Sequence, residues 1–327
     1  MSLLIVRYRD GNGVRWAKLT GAPPAHRTDM VEIAPIDTDA QTTADLIVAL
    51  AGDSVPADYG KAVQISAADL LSPVTTDARI LCQGLNYGAH AAEAGHHVRK
   101  QNLFFMKASS TLSGPYSDIV RPQEVQLLDY EVEIGVVLRT DLLGATQVTD
   151  ANIGDYVAGV VLCDDVSARD VMFGASFLQW FQGKSFRTFC PAGPVLCLLE
   201  PGEVAETLAS LEIKLWLNGE LRQSAASAQL IYKPAETLTQ LSGFMDMKRG
   251  DLLLTGTPGG VIAQGTPKVL DILKSQLMDD EARRTALCEE FQAKATFLQP
   301  GDVVTANLND VRLGRDLGGQ SNTIIGT

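Results

Sequence analysis

Apolar and polar positions alternate most clearly along Tyr130-Glu131-Val132-Glu133-Ile134-Gly135-Val136-Val137-Leu138. A strand with that period of two carries Tyr130, Val132, Ile134, Val136 and Leu138 on one face and Glu131 with Glu133 on the other. Further strand-like runs span Ile80 to Leu85, Leu103 to Lys107, Val157 to Cys163, Pro194 to Leu199, Leu211 to Leu217 and Leu252 to Thr255, divided by Gly, Pro and Asp. With no helical pattern between each pair, they predict a mixed, β-rich α+β fold of sandwich or barrel-like type, not a doubly wound sheet. Ahead of them, Leu3 to Tyr8 and Val14 to Leu19 flank the turn residues Asp10 to Gly13 and predict a hairpin. Thr42 to Ala51 sets Leu46, Ile47 and Leu50 on one helical side before Gly52 and Pro56 interrupt it. These elements predict a small N-terminal α/β domain over 1–75, bounded near Pro73 and Thr75-Thr76-Asp77, and a larger domain over 76–327. Inside the larger part, Val269, Leu270, Leu273, Leu277, Leu287 and Phe291 recur at helical spacing, with Asp279-Asp280 at a helix start. They predict a two-helix insertion at about 266–297 that covers the sheet or extends a subunit contact.

The chain's 327 residues leave room for one large core and a smaller appendage. A net charge of −12 opposes binding to a phosphate backbone or an anionic membrane surface, so neither nucleic acid nor membrane is expected as a partner. Cys82, Cys163, Cys190, Cys197 and Cys288 lack paired metal-ligand spacing and read as reduced, buried thiols. No charged start followed by a long apolar run is present, and the expected location is cytoplasmic.

Candidate chemistry begins with Glu131 and Glu133. Two residues apart on a strand places their Cα atoms roughly 6.5 to 7 Å apart, so both carboxylates can converge on one cation; a strand with one face in water would leave them merely solvated. The Val157 to Cys163 run leads straight into Asp164, Asp165, Arg169 and Asp170, where sites on a sheet are commonly built. Asp165 then supplies a third oxygen ligand, although spacing alone also allows Asp164. Three carboxylates with room for water suit a hard ion, Mg²⁺ first, with Mn²⁺ or Ca²⁺ as alternatives. Zinc is disfavoured, since no His or Cys has ligand spacing. His90 and Glu93 face the same way on a short helix that Asn86 can cap and Gly95 can end, so Glu93 can orient the imidazole; the same pair also fits an ordinary surface. His96 and His97 lie in a basic segment suited to a lid or a solvated loop, and His26 has no context suggesting chemistry.

Asp165-Val166-Ser167-Ala168-Arg169-Asp170 followed by Gly183-Lys184-Ser185-Phe186 resembles the signature of the fumarylacetoacetate hydrolase family. Gly84-Leu85-Asn86-Tyr87 with His90 and Glu93, Tyr130 to Glu133, Asn218-Gly219-Glu220 with Arg222-Gln223, and Gly250-Asp251 leading to Thr255-Gly256-Thr257-Pro258 with Gly260-Val261 match in the same order. The resemblance runs from about residue 78 to the C-terminus apart from the insertion, and the N-terminal part matches loosely. It implies the family's mixed β-sandwich roll, a homodimer, metal ligands Glu131, Glu133 and Asp165, a water-activating pair His90 and Glu93, and Lys184 beside the substrate. The family commonly has Asp immediately before this His, and here that position is Ala89.

A 2-oxo acid chelates such an ion, which then stabilises an enolate as the adjacent carbon bond breaks. Three carboxylates outweigh a divalent ion by one charge, so an anionic substrate needs cations nearby, which Lys184, Arg169 and Lys107 can supply. In the hydrolytic version His90 takes a proton from water that attacks an acylpyruvate or other 1,3-dicarbonyl, and Lys184 stabilises the oxyanion. Gln223 and Thr257 then hold the substrate's far end. Arg169 tied to Asp170 or another acid, and Thr257-Pro258 acting only as a turn, stand beside those roles as structural alternatives. The main expectation is a metal-dependent C–C bond hydrolase of aromatic-compound or amino-acid catabolism. Its alternatives are a decarboxylase or isomerase of an oxaloacetate-like 2-oxo diacid, and a non-catalytic protein that binds metal and diacid. Selection of the distal arm is expected from the loops Gly95 to Asn102 and Gly174 to Gln182.

Overall fold

The computed structural model describes residues 2–11, 13–51, 59–94, 101–275 and 278–327. Asn12, Gly52, Pro56, Gly95, His96, His97 and Leu277, all used above, lie outside the described residues. Among the described residues the strands form a 12-stranded mixed sheet, a 5-stranded sheet and a 2-stranded ribbon of Leu128–Asp129 with Ser167–Ala168. This is the mixed, β-rich α+β architecture that the alternation predicts.

The strands Val132–Leu138 and Val157–Asp164 pair antiparallel near the centre of the large sheet, with Cys190–Leu198 and Leu252–Leu254 on their outer sides. Val132, Ile134, Val136 and Leu138 pack with Ile213, Leu215, Val304 and Leu308 of the small sheet, which makes the sandwich core. On the opposite face, Val137, Val161 and Cys163 pack with Leu46 and Ile47 from the helix Thr43–Ala49. Burial on both faces explains why these central strands read as nearly continuous apolar runs. It also leaves no water-facing side for Glu131 and Glu133, which corrects the solvated-strand alternative: Glu131 is 5% and Glu133 0% exposed. The strand itself starts at Val132, two residues later than the alternation suggests.

Tight approach of the central strands explains one glycine. A Cβ on Gly159 would lie 2.1 Å from the Cys197 carbonyl oxygen, so backbone would have to move. Gly159→Ala is therefore expected to lower the urea midpoint by the equivalent of about 1–3 kcal/mol with an unchanged slope, measured by equilibrium unfolding.

The N-terminal hairpin forms as predicted, Leu3–Asp10 with Gly13–Leu19, and Leu3–Asp10 also pairs with Cys190–Leu198. The unit 1–75 thus joins 76–327 edge to edge in one sheet. Its separateness stands as a proposal about folding units, tested by whether urea unfolds the chain in one transition or two.

The insertion forms the helices Pro267–Lys274 and Asp280–Gln292. Thr266 and Asp279 cap them, each side chain accepting from a backbone N–H in the first turn. Val269, Ile272, Leu287, Cys288 and Phe291 form a cluster with Leu127, and Arg284 pairs with Asp170 at 2.7 Å. The insertion is thereby fastened to the helix Arg169–Phe173, which carries part of the candidate site.

Candidate active site

Strand register brings the three acids together. The pairing of Val132 with Asp164 and Glu133 with Cys163 continues to Asp165 N–H donating to the Glu131 carbonyl at 2.8 Å. Residues opposite one another share a face, so Asp165 projects on the side that Glu131 and Glu133 already occupy. Their carboxylate oxygens lie within 4.8 Å of one another, all buried. The Asp164 carboxylate instead accepts from Glu131 N–H at 2.8 Å, and it lies outside that cluster. Burial, together with the nearby Asp165 and Glu131 charges, pushes Asp164 up to about 7 despite that hydrogen bond.

Cations surround the acids. Lys184 Nζ donates to Glu131 Oε2 at 2.9 Å, Asp165 Oδ2 at 2.6 Å and Ser167 Oγ at 2.9 Å. Lys107 Nζ donates to Asp165 Oδ1 at 2.6 Å and to the Val166 carbonyl. Arg169 bridges Glu131 Oε1 at 2.6 Å and Asp129 Oδ2 at 2.9 Å. The structural alternative thus holds for another acid, Asp129, and not for Asp170, which pairs with Arg284. Burial works to lower the Lys184 ammonium, but Asp165 and Glu131 hold it above its ordinary range. It is a fixed cation and not a proton shuttle at neutral pH. Burial likewise works to raise Glu131, yet Lys184, Arg169 and His90 bring it down to about 2.

Glu133 is different. Its Oε2 accepts from Gly256 N–H at 2.6 Å, while the buried Oε1 has no hydrogen-bond partner among the described residues. Burial and the Asp165 and Glu131 charges raise it well above the ordinary carboxyl range. An unpartnered carboxylate oxygen beside two other carboxylates is the donor set a hard divalent ion takes, so these residues fit such an ion. The Ala89 methyl, at the position where the family commonly has Asp, adds no oxygen.

One cavity of about 300 Å³ opens onto this cluster, and Gln83, His90, Glu131, Arg169, Lys184 and Thr257 line its polar side. Lys107 is fully buried beneath and is not among the lining residues. Gln223 is not among them either: it accepts from Val132 N–H and donates to Thr257 Oγ1 and the Pro258 carbonyl, so it fixes the Thr257 turn. Thr257 donates to the Val132 carbonyl and faces the cavity from that turn.

The expected helix forms at Gly88–Glu93, but Tyr87 stands at its start. Asn86 instead ties neighbouring chain segments, donating to the Tyr232 and Thr255 carbonyls and accepting from Tyr232 N–H. His90 Nδ1 lies 3.9 Å from Glu93 Oε2, beyond hydrogen-bond length, and has no hydrogen-bond partner among the described residues. Glu93 is anchored by Gly260 N–H at 2.9 Å, and although burial works to raise it, His90 and that amide lower it.

Sequence reading missed Gly256, Asp129 and Ser167 as the groups that seat Glu133, Arg169 and Lys184. Ser167 stands inside the 165–170 signature and Gly256 inside the 255–258 match, so their motifs were visible while their partners were not. It also missed that the insertion helices face the cavity through Leu270, Leu273 and Phe291.

Residues 79–325 match the family model described as fumarylacetoacetate (FAA) hydrolase, C-terminal. The chain is 41% identical over 198 residues to a mitochondrial oxaloacetate tautomerase of Bos taurus, an alignment covering 60% of this chain and 60% of that protein. It therefore spans about three fifths of that relative's length. The structure of a probable 2-hydroxyhepta-2,4-diene-1,7-dioate isomerase from Mycobacterium abscessus superposes with a TM-score of 0.73 and 25% identity, covering 100% of this chain and 99% of that one. A fumarylacetoacetate hydrolase from Exiguobacterium antarcticum shares the fold with a TM-score of 0.71 and 23% identity, covering 99% of this chain and 100% of that one.

Proposed function

We infer the reaction from a premise that the model match over 79–325 secures: this chain belongs to the fumarylacetoacetate hydrolase family, whose members are enzymes acting on small molecules. Within it, the reading best supported is keto–enol isomerisation of a 2-oxo acid, ahead of C–C bond hydrolysis. The observation that carries it is His90, the one imidazole lining the cavity among the described residues, together with Glu131 and two fixed cations, Arg169 and Lys184. A tautomerase needs one group that accepts a proton from carbon and returns one to oxygen, with no net change of atoms. Hydrolysis further needs a base held by its carboxylate against a bound water, and the 3.9 Å gap between His90 and Glu93 lends that less support. The similarity to an oxaloacetate tautomerase and to an isomerase points the same way.

Glu131, Glu133 and Asp165 are proposed to hold a divalent ion, Mg²⁺ or Mn²⁺, which when bound supplies Lewis acidity to the oxygens of a 2-oxo acid. Arg169 and Lys184 balance the substrate carboxylate and the negative charge that develops on its keto oxygen. His90 moves the proton, and Glu93, seated by Gly260, lends it a nearby negative charge. Thr257, its hydroxyl proton held by the Val132 carbonyl and its oxygen by Gln223, shapes the cavity wall beside the site.

The test follows the enol absorbance of a panel of 2-oxo acids, oxaloacetate and alkyl or aryl members together, with Mg²⁺ or Mn²⁺, beside acylpyruvates assayed for release of pyruvate, and exchange in any one member supports the reaction. Accelerated enol–keto exchange without C–C cleavage is expected. Stoichiometric pyruvate release with no accelerated exchange would return the assignment to hydrolysis. His90→Ala is expected to slow exchange by about 10²–10⁴-fold while leaving the Mg²⁺-induced rise in melting temperature intact. Near-normal exchange in that variant would remove His90 from the mechanism.

A further inference from the structure

We propose that the substrate carries an uncharged apolar arm, alkyl or aryl, longer than the distal end of oxaloacetate, and that Leu270 and Leu273 of the helix Pro267–Lys274 select it. The proposal rests on the 2-oxo acid reading above and specifies its substrate class. Arg169, Lys184, Glu131, His90, Gln83 and Thr257 supply the cavity's polar groups near the acids, and Leu103, Phe105, Trp180 and the insertion leucines supply most of its apolar lining. Phe105 and Phe173 flank Trp180, with ring centroids 5.2 and 6.3 Å away at steep angles, so the aromatic wall is itself a packed unit.

Val269 and Ile272 are 3% and 6% exposed and belong to the insertion's own cluster, and Val269 also reaches the cavity. Leu270 and Leu273, one turn apart, are half-buried and line the cavity, with Leu273 also packed on that cluster. That wall is anchored: Thr266 caps the helix, and Arg283 donates to the Ile272 and Leu273 carbonyls at its end. A second carboxylate pressed against these leucines and Trp180, away from Arg169 and Lys184, would lose its water without a buried partner among the described residues, which is strongly unfavourable. Lys274, the insertion's cation among the lining residues, is exposed at the end of the helix. At about 300 Å³ the space exceeds what a four-carbon diacid needs and approaches the lower bound for enclosing larger organic ligands.

The probe is a series of N-alkyl oxamates, which copy the 2-oxo acid end but cannot enolise, titrated calorimetrically into the full chain with Mg²⁺. Affinity is expected to rise about fourfold per methylene from methyl to pentyl, from the transfer of roughly 0.8 kcal/mol per CH₂. Leu270→Asp and Leu273→Asp should flatten that rise and cost the pentyl member at least about tenfold, while leaving methyl oxamate binding unchanged; Lys274→Ala should alter neither. An affinity independent of chain length in the wild type, or a carboxylate-ended oxamate that binds more tightly than its alkyl counterpart and loses this advantage in Lys274→Ala, overturns the apolar arm. The reaction reading is judged separately: a rising oxamate series in a protein that leaves the enols of alkyl and aryl 2-oxo acids untouched supports the arm and rejects the isomerase.

Discussion

Glu133→Gln and Glu131→Gln are expected to abolish turnover alike yet move the stability of the metal-free protein in opposite directions. Glu131 accepts from Lys184 and Arg169, both buried, and removing its charge leaves those cations with fewer partners. Breaking such a buried pair from one side typically costs about 3–5 kcal/mol. Glu133 has a backbone N–H on one oxygen, nothing on the other among the described residues, and two carboxylates as neighbours. Replacing it by a neutral amide relieves repulsion, so Glu133→Gln should melt at or above the wild-type temperature without metal.

The pH dependence follows with a definite sign. Glu133 is raised in the folded state, so the stability associated with its proton is complete below the unfolded value of 4.5 and is lost as pH rises through the raised folded value. The glutamine variant removes that loss, and its advantage over wild type should widen with pH. Divalent metal should reverse the order. At 100 times the dissociation constant it stabilises the wild type by about 2.7 kcal/mol, and neither variant should gain this in full. Scanning calorimetry with Mg²⁺ and with chelator, at several pH values, measures all of these. Two variants that respond to Mg²⁺ like the wild type would dismiss the carboxylate cluster as a metal site.

How much of this was legible in the chain differs between backbone and site. The period-two run at 130–138 revealed both the strand and the shared side of Glu131 and Glu133, because alternation is a local property. Asp165 could be nominated from its place at the end of an apolar run. Its arrival opposite Glu131 depends on register, however, and register is set by pairing between segments more than 20 residues apart. Partner choice was harder still. Arg169 stands beside Asp170 in the chain but pairs with Asp129 and Glu131, and Asn86 precedes a helix but bridges loops instead of capping it. The insertion was recognised from helical spacing, and its Asp279 start was correct. Which way its second apolar stripe faces could not be read, since a stripe that packs on a sheet and one that lines a cavity use the same residues. Both would show Leu270 and Leu273.

Lys184→Met is expected to give the largest combined effect, and its comparison with Lys107→Met separates a substrate-facing cation from a structural one. Methionine preserves much of the lysine stem's volume, so the change is chiefly loss of the ammonium. Both lysines touch Asp165, at 2.6 Å in each case, and both are buried. Each variant should therefore lose about 3–5 kcal/mol in metal-free protein, and divalent metal should restore more of that loss than it adds to the wild type, because the ion replaces the missing positive charge. Catalysis should distinguish them. Lys184 faces the cavity beside Glu131, and removing a preorganised cation from the developing oxyanion is expected to lower kcat by about 10²–10³-fold and to raise KM for an anionic substrate. Lys107 is absent from the cavity wall and should leave KM close to wild type once metal has restored folding. Lys184→Arg should not rescue, since a planar guanidinium cannot reproduce three converging bonds to Glu131, Asp165 and Ser167 within the lysine's space. Equal losses of kcat and equal rises of KM in the two methionine variants would place both lysines in the scaffold and leave Arg169 as the cation that meets the substrate.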